Sequence, residues 1–163
     1  AFDYDSYNLF TGSLDRSVKH WTVEEMGYIE TLFGHQSHIN AIDAFRSEIP
    51  ITGSRDNTVR GWKISAQTHL VYRPAKGGSV DAVCYLNNNH FLSGGEDGCV
   101  SLWNAGRKKP IFSTASNLKW ITSIGSIKSS NIVFTGSNEG FIKLWKVSLK
   151  NKKMKEINKI PMA

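Results

Sequence analysis

The chain has 163 residues, 40% hydrophobic and 21% charged, a balance that supports a buried core and excludes a disordered tail. No apolar run approaches the roughly 20 residues of a membrane-spanning helix, and residues 1–20 lack a basic start followed by an apolar stretch, so an intracellular chain is expected. The net charge of +6 is uneven: residues 1–75 carry −2 and residues 76–163 carry +8, which points to a polyanionic partner on one side of the molecule.

The predicted elements are all strands. Leu9–Ser13 is an apolar run ending in a glycine turn, a second run leads to Trp21, and Tyr28–Phe33 follows a polar turn. Ile39 and Ile42 mark another strand, followed by Ile49–Ser54, the run to Trp62, and His69–Tyr72. The order recurs with Val80 and Val83, His90–Gly94, the run to Trp103, and Pro110–Phe112. It recurs again with Ile121 and Ile124, Asn131–Ser137, Phe141–Trp145, and Ile157–Ile160. Cys84 and Cys99 fall inside strand readings and are expected to be buried and inert.

Aligned columns run through these units. Gly12, Gly53, Gly94 and Gly136 each follow a hydroxyl residue (Thr11, Thr52, Ser93, Thr135) and precede Trp21, Trp62, Trp103 and Trp145 by a constant interval. An acid stands three residues after each glycine: Asp15, Asp56, Asp97, Glu139. A four-stranded unit repeating about every 41 residues is the signature of propeller blades, so the expected fold is an all-β propeller with about four blades, at 1–33, 34–74, 75–113 and 114–163. Seven such blades would need nearly 290 residues, so a longer natural protein is expected.

The columns resemble the WD-repeat family. That resemblance implies a structural hydrogen-bonded set made of His35, Thr52, Asp56 and Trp62, complete only in the second blade; Lys76 and Asn117 stand near the histidine position in the next two. Within residues 18–148 the stretches Glu30–Gln36, Ser54–Ile64, Lys108–Phe112 and Trp120–Ser123 resemble the WD-repeat proteins of the U3 small nucleolar ribonucleoprotein. That second resemblance implies a non-enzymatic protein of the nucleolus that binds U3 small nucleolar RNA. Box C/D core proteins and small-subunit processome proteins are the implied partners, and pre-ribosomal RNA processing the implied task. Members of that family carry a longer loop where this chain has only Ser113–Lys119. The alternative is a general WD-repeat adaptor, such as a ubiquitin-ligase substrate receptor, binding a peptide over the central channel without RNA.

Other readings of the same residues are blander. His35, Asp56 and Thr52 have the residue types of a catalytic triad, but their blade positions assign them to fixing a turn. His35 and His38 lack a third metal ligand, and Ser93–Gly98 lacks the lysine and helix of a phosphate loop, so neither metal nor cofactor is expected. Arg107, Lys108 and Lys109 are predicted in a loop between third and fourth strands. Lys150, Lys152, Lys153 and Lys155 occupy the matching loop of the next blade, and Lys128 lies on the same face. Antiparallel geometry gathers these side chains as candidate contacts to RNA or an acidic partner, or as a solvated face. Trp120 departs from the tryptophan column.

Overall fold

The structure is a computed structural model that describes every residue except 4, 5, 46, 75, 115–118, 128, 129 and 163, with the backbone alone at 47 and 48. The first sheet has strands β1 (Asn8–Gly12), β2 (Val18–Thr22) and β3 (Gly27–Leu32), with a single bridge from Phe2 to Leu9 ahead of β1. The second has β4 (Ile39–Phe45), β5 (Ser47–Ser54), β6 (Val59–Lys63) and β7 (Thr68–Tyr72). The third has β8 (Val80–Asn87), β9 (His90–Gly95), β10 (Ser101–Asn104) and β11 (Phe112–Ser113). The fourth has β12 (Ile121–Ser126), β13 (Ile132–Ser137), β14 (Phe141–Ser148) and β15 (Lys153–Pro161). Every pair is an antiparallel neighbour in sequence, so each sheet is a meander, one blade of a β-propeller.

The core lies between blades. Phe10 and Val18 of the first meet Ile39, Ala44 and Trp62 of the second. Ile51, Val59 and Tyr72 of the second meet Val80, Tyr85 and Trp103 of the third. Leu92, Val100 and Leu102 of the third meet Ile121, Val133 and Trp145 of the fourth. Because both faces of an inner strand are covered, β8 reads as a nearly continuous apolar run rather than an alternation. The glycine column makes this stacking possible. A Cβ at Gly12 would come within 2.6 Å of Ile39 Cγ2, at Gly53 within 2.8 Å of Val80 Cγ1, and at Gly94 within 3.0 Å of Ile121 Cγ2. In each case the neighbour is the first residue of the next blade's innermost strand.

In three blades the second-to-third strand turn is tied by the acid column, and in all four it contains a left-handed residue. Asp15, Asp56 and Asp97 accept backbone N–H bonds from Ser17, Thr58 and Cys99 at 2.8, 3.0 and 2.9 Å. The following positions have φ of 75° at Arg16, 64° at Asn57, 66° at Gly98 and 77° at Gly140. Asparagine and glycine tolerate that region readily, whereas Arg16 holds it against its own Cβ.

Two strand expectations change. The outer strand expected at Pro110–Phe112 is Phe112–Ser113, with Ile111 N–H also bonded to Leu102 O just ahead of it. The one expected at Ile157–Ile160 is the much longer β15, paired along the whole of β14. Consequently Lys153 and Lys155, expected in a loop, lie in a strand opposite Ser148 and Lys146.

Candidate functional site

Loops leave the blades on two faces. His35, before β4, and Asp56, between β5 and β6, are on one; the third-to-fourth strand turns are on the other.

On the first face, His35 Nδ1 lies 2.8 Å from Asp56 Oδ2 and Nε2 lies 2.7 Å from Thr52 Oγ1, while Trp62 Nε1 donates to the same hydroxyl at 2.9 Å. A carboxylate only accepts, so Nδ1 carries the proton. The Thr52 hydroxyl therefore accepts from Trp62 and donates to Nε2. Burial pushes the His35 pKa below its ordinary 6.5 against the pull of Asp56, which keeps the ring neutral. Burial raises Asp56, but bonds from the Thr58 hydroxyl, the Gln36 amide and His35 outweigh it and hold the carboxyl below its ordinary range. In the third blade Asp97 has no histidine, and burial leaves its pKa raised despite the Cys99 amide and Lys76. Thr52 is wholly buried and its hydroxyl is engaged on both sides, an arrangement that pins the turn to the sheet.

Part of this set extends further than the residue spacing alone suggested. The tryptophan-to-hydroxyl bond recurs in every blade: Trp21 to Thr11 at 3.0 Å, Trp103 to Ser93 and Trp145 to Thr135 at 2.9 Å. The signal was present in the ten-residue spacing of the two columns, which puts the pair on adjacent strands. Trp120 is 43% exposed on the same face, and its Nε1 donates to Asp81 Oδ2 at 2.7 Å. Asp81 also receives Asn40 Nδ2 at 2.6 Å.

The opposite face carries the basic residues. In three blades the third-to-fourth turn is a four-residue loop whose last member has positive φ: Val23–Met26, Ile64–Gln67 and Leu149–Lys152. The strand leading into it ends one residue beyond Trp21 in β2 and one beyond Trp62 in β6, but three beyond Trp145 in β14. The Leu149–Lys152 turn thus projects by two extra residues, about 7 Å. In the third blade Arg107, Lys108 and Lys109 are exposed in the connection between β10 and β11. The projecting hairpin meets that connection across a groove of about 660 Å³. Arg107, Lys108, Lys109 and Lys152 line it together with Pro110, Ile111 and Leu149. Lys150, Lys153 and Lys155 are exposed on the same hairpin. Lys128 and Asn117 lie outside the described residues. The corresponding turn of the first blade exposes Glu24 and Glu25 instead.

Residues 1–22, 27–63, 68–104 and 108–146 match the family described as WD domain, G-beta repeat. The chain is a WD-repeat protein. Among its relatives is the "U3 snoRNP-associated protein-like EMB2271" of Arabidopsis thaliana, 29% identical over 99% of the chain and 37% of that protein. Another is "Ribosomal RNA-processing protein 9" of Saccharomyces cerevisiae, 26% identical over 91% of the chain and 38% of that protein. The solved structure titled "Crystal structure of RRP9 WD40 repeats" is 35% identical, with a TM-score of 0.92, over 99% of the chain and 52% of that structure. The WD-repeat chain spans little more than a third of the length of these curated relatives. Its alignment with the yeast protein runs over 216 positions, more than the chain's own 163 residues, so that relative carries inserted segments. The repeat matches leave out 23–26, 64–67 and 105–107 and end at 146, so Arg107 and the Leu149–Lys152 turn lie outside the matched residues.

Proposed function

We propose that this chain is part of a U3 small nucleolar ribonucleoprotein subunit acting in the nucleolus, in pre-ribosomal RNA processing for the small ribosomal subunit. It works by holding U3 small nucleolar RNA and protein partners together, without catalysing a reaction. A fold alone would not carry this, since the propeller hosts many functions. The observation that carries it is sequence identity of 35% sustained over 99% of the chain on a backbone with a TM-score of 0.92 to the RRP9 repeats. The names of the Arabidopsis and yeast relatives, tied to the U3 particle and to ribosomal RNA processing, point the same way.

In this reading the face bearing Arg107, Lys108, Lys109, Lys150, Lys152, Lys153 and Lys155 meets RNA phosphates or acidic partner surfaces. Such contacts supply affinity and orientation more than base specificity. Box C/D core and small-subunit processome proteins are the protein partners. The test is cross-linking of the full-length protein to RNA in cells, followed by sequencing. U3 RNA should be enriched at least about tenfold over other box C/D small nucleolar RNAs. Recovery of all such RNAs in proportion to abundance, or of ubiquitin-ligase components without RNA, refutes the reading.

A further inference from the structure

The groove between the third and fourth blades has a rim suited to anions and a floor that is not. Arg107, Lys108, Lys109 and Lys152 surround an apolar base of Pro110, Ile111 and Leu149. Ile111 and Leu149 are half-buried and continue outward from the cluster containing Leu102, Trp145 and Val147, so the floor is an extension of the core. The remaining ring at the site, His90, donates from Nδ1 to Asn87 Oδ1 at 3.0 Å, and burial lowers its pKa, so it adds no positive charge at neutral pH.

Nucleic acid fits this lining poorly. A single strand bound by a basic groove stacks its bases on aromatic rings, and here the floor offers aliphatic carbon. The groove is half open to solvent and, at about 660 Å³, has room for the side chains of a short docked segment.

We infer that the groove between the Arg107–Ile111 connection and the Leu149–Lys152 hairpin is a docking site for an acidic protein segment, whose aliphatic or aromatic side chain seats on Ile111 and Leu149 while its flanking carboxylates pair with Arg107, Lys108, Lys109 and Lys152. This rests on the reading of that face as a polyanion-binding surface and narrows its occupant. Lys150, Lys153 and Lys155, outside the groove, remain available to RNA phosphates.

The experiment measures fluorescence anisotropy of the full-length protein with two labelled 12-residue glutamate-rich peptides that differ only in a central Leu or Ser. The Leu peptide should bind at least about tenfold tighter, as expected for burying one leucine side chain. In a Lys108→Glu, Lys152→Glu variant, whose melting curve is checked against the parent, the Leu peptide should lose at least tenfold in affinity. Equal binding of the two peptides means that the groove is a charged surface only, and the inference falls. Unchanged binding of the Leu peptide to the variant places the peptide elsewhere and also overturns it. U3 RNA binding is measured in parallel on both proteins. Loss of RNA binding in the parent with the Leu preference intact removes the ribonucleoprotein reading and leaves the groove assignment standing.

Discussion

Thr52 holds the middle of a one-way hydrogen-bond chain, from Trp62 Nε1 through its hydroxyl to His35 Nε2, and from His35 Nδ1 to Asp56. All four side chains have little or no access to water. Removing the imidazole would leave a buried hydroxyl and a carboxylate oxygen short of partners, so His35→Ala should cost about 1–3 kcal/mol. The exposed Lys76, at the matching position of the third blade, should cost less than about 0.5 kcal/mol when replaced by alanine. Denaturant melts of the full-length protein compare the two. The same chain predicts a pH dependence. The folded pKa of His35 lies below its ordinary 6.5, so the unfolded chain takes up the proton first as pH falls. Its stabilising contribution is complete above that value and is lost as pH falls through the depressed folded pKa. The stability gap between parent and His35→Ala should therefore narrow between pH 7.5 and 5.5. The set in the second blade was legible in the sequence because its residues stand at family positions. The matching tryptophan-to-hydroxyl bonds of the other blades were not assigned, although the same ten-residue spacing recurs there, because the family set is complete only in the blade that has the histidine. The role of Asp81 in joining neighbouring blades was not assigned, because Trp120 and Asn40, which it binds besides the nearby Ser79, lie about forty residues away on either side.

At the level of strands, the glycine column was visible as a period, but its physical cause was not. The cause lies in the next blade, where Val80 presses its Cγ1 against the space a Gly53 side chain would occupy and its carbonyl oxygen stands 3.1 Å from that position. Gly53→Ala should thus overpack the junction of β5 with β8 and lower stability by about 1–3 kcal/mol. Gly77 has nothing within 4 Å of an added Cβ, so Gly77→Ala should leave the unfolding midpoint nearly unchanged. Equal effects in parallel melts would refute the close-approach account. The lengths of the last two strands were also hidden. Lys153–Pro161 contains four lysine or glutamate residues and almost no alternation, since as an outer strand it turns little of itself inward. Pairing with β14 along its full length, rather than its own pattern, extends it. That extension moves Lys153 and Lys155 out of the turn.

Across the whole chain, charge polarity was readable from composition, and the structure places its main carriers on one face. If that face meets phosphates, reversing Lys150, Lys153 and Lys155, the exposed lysines outside the groove, to glutamate should weaken RNA binding across sequences and flatten its salt dependence, by roughly 0.7 in logarithmic slope for each phosphate no longer neutralised. A folded variant with unchanged affinity and slope would make the patch a solvated face. The 41-residue repeat makes the blades near-copies related by rotation, so a ligand that recognised the repeat itself would find several equivalent seats. The two added residues before the Leu149–Lys152 turn break that equivalence, because β2 and β6 end too soon to build the same wall. Among these four blades, anything clasped by the long hairpin has one address and one orientation: binding is single in stoichiometry, and the pseudo-symmetric wheel acquires a front edge from which its neighbours can be counted.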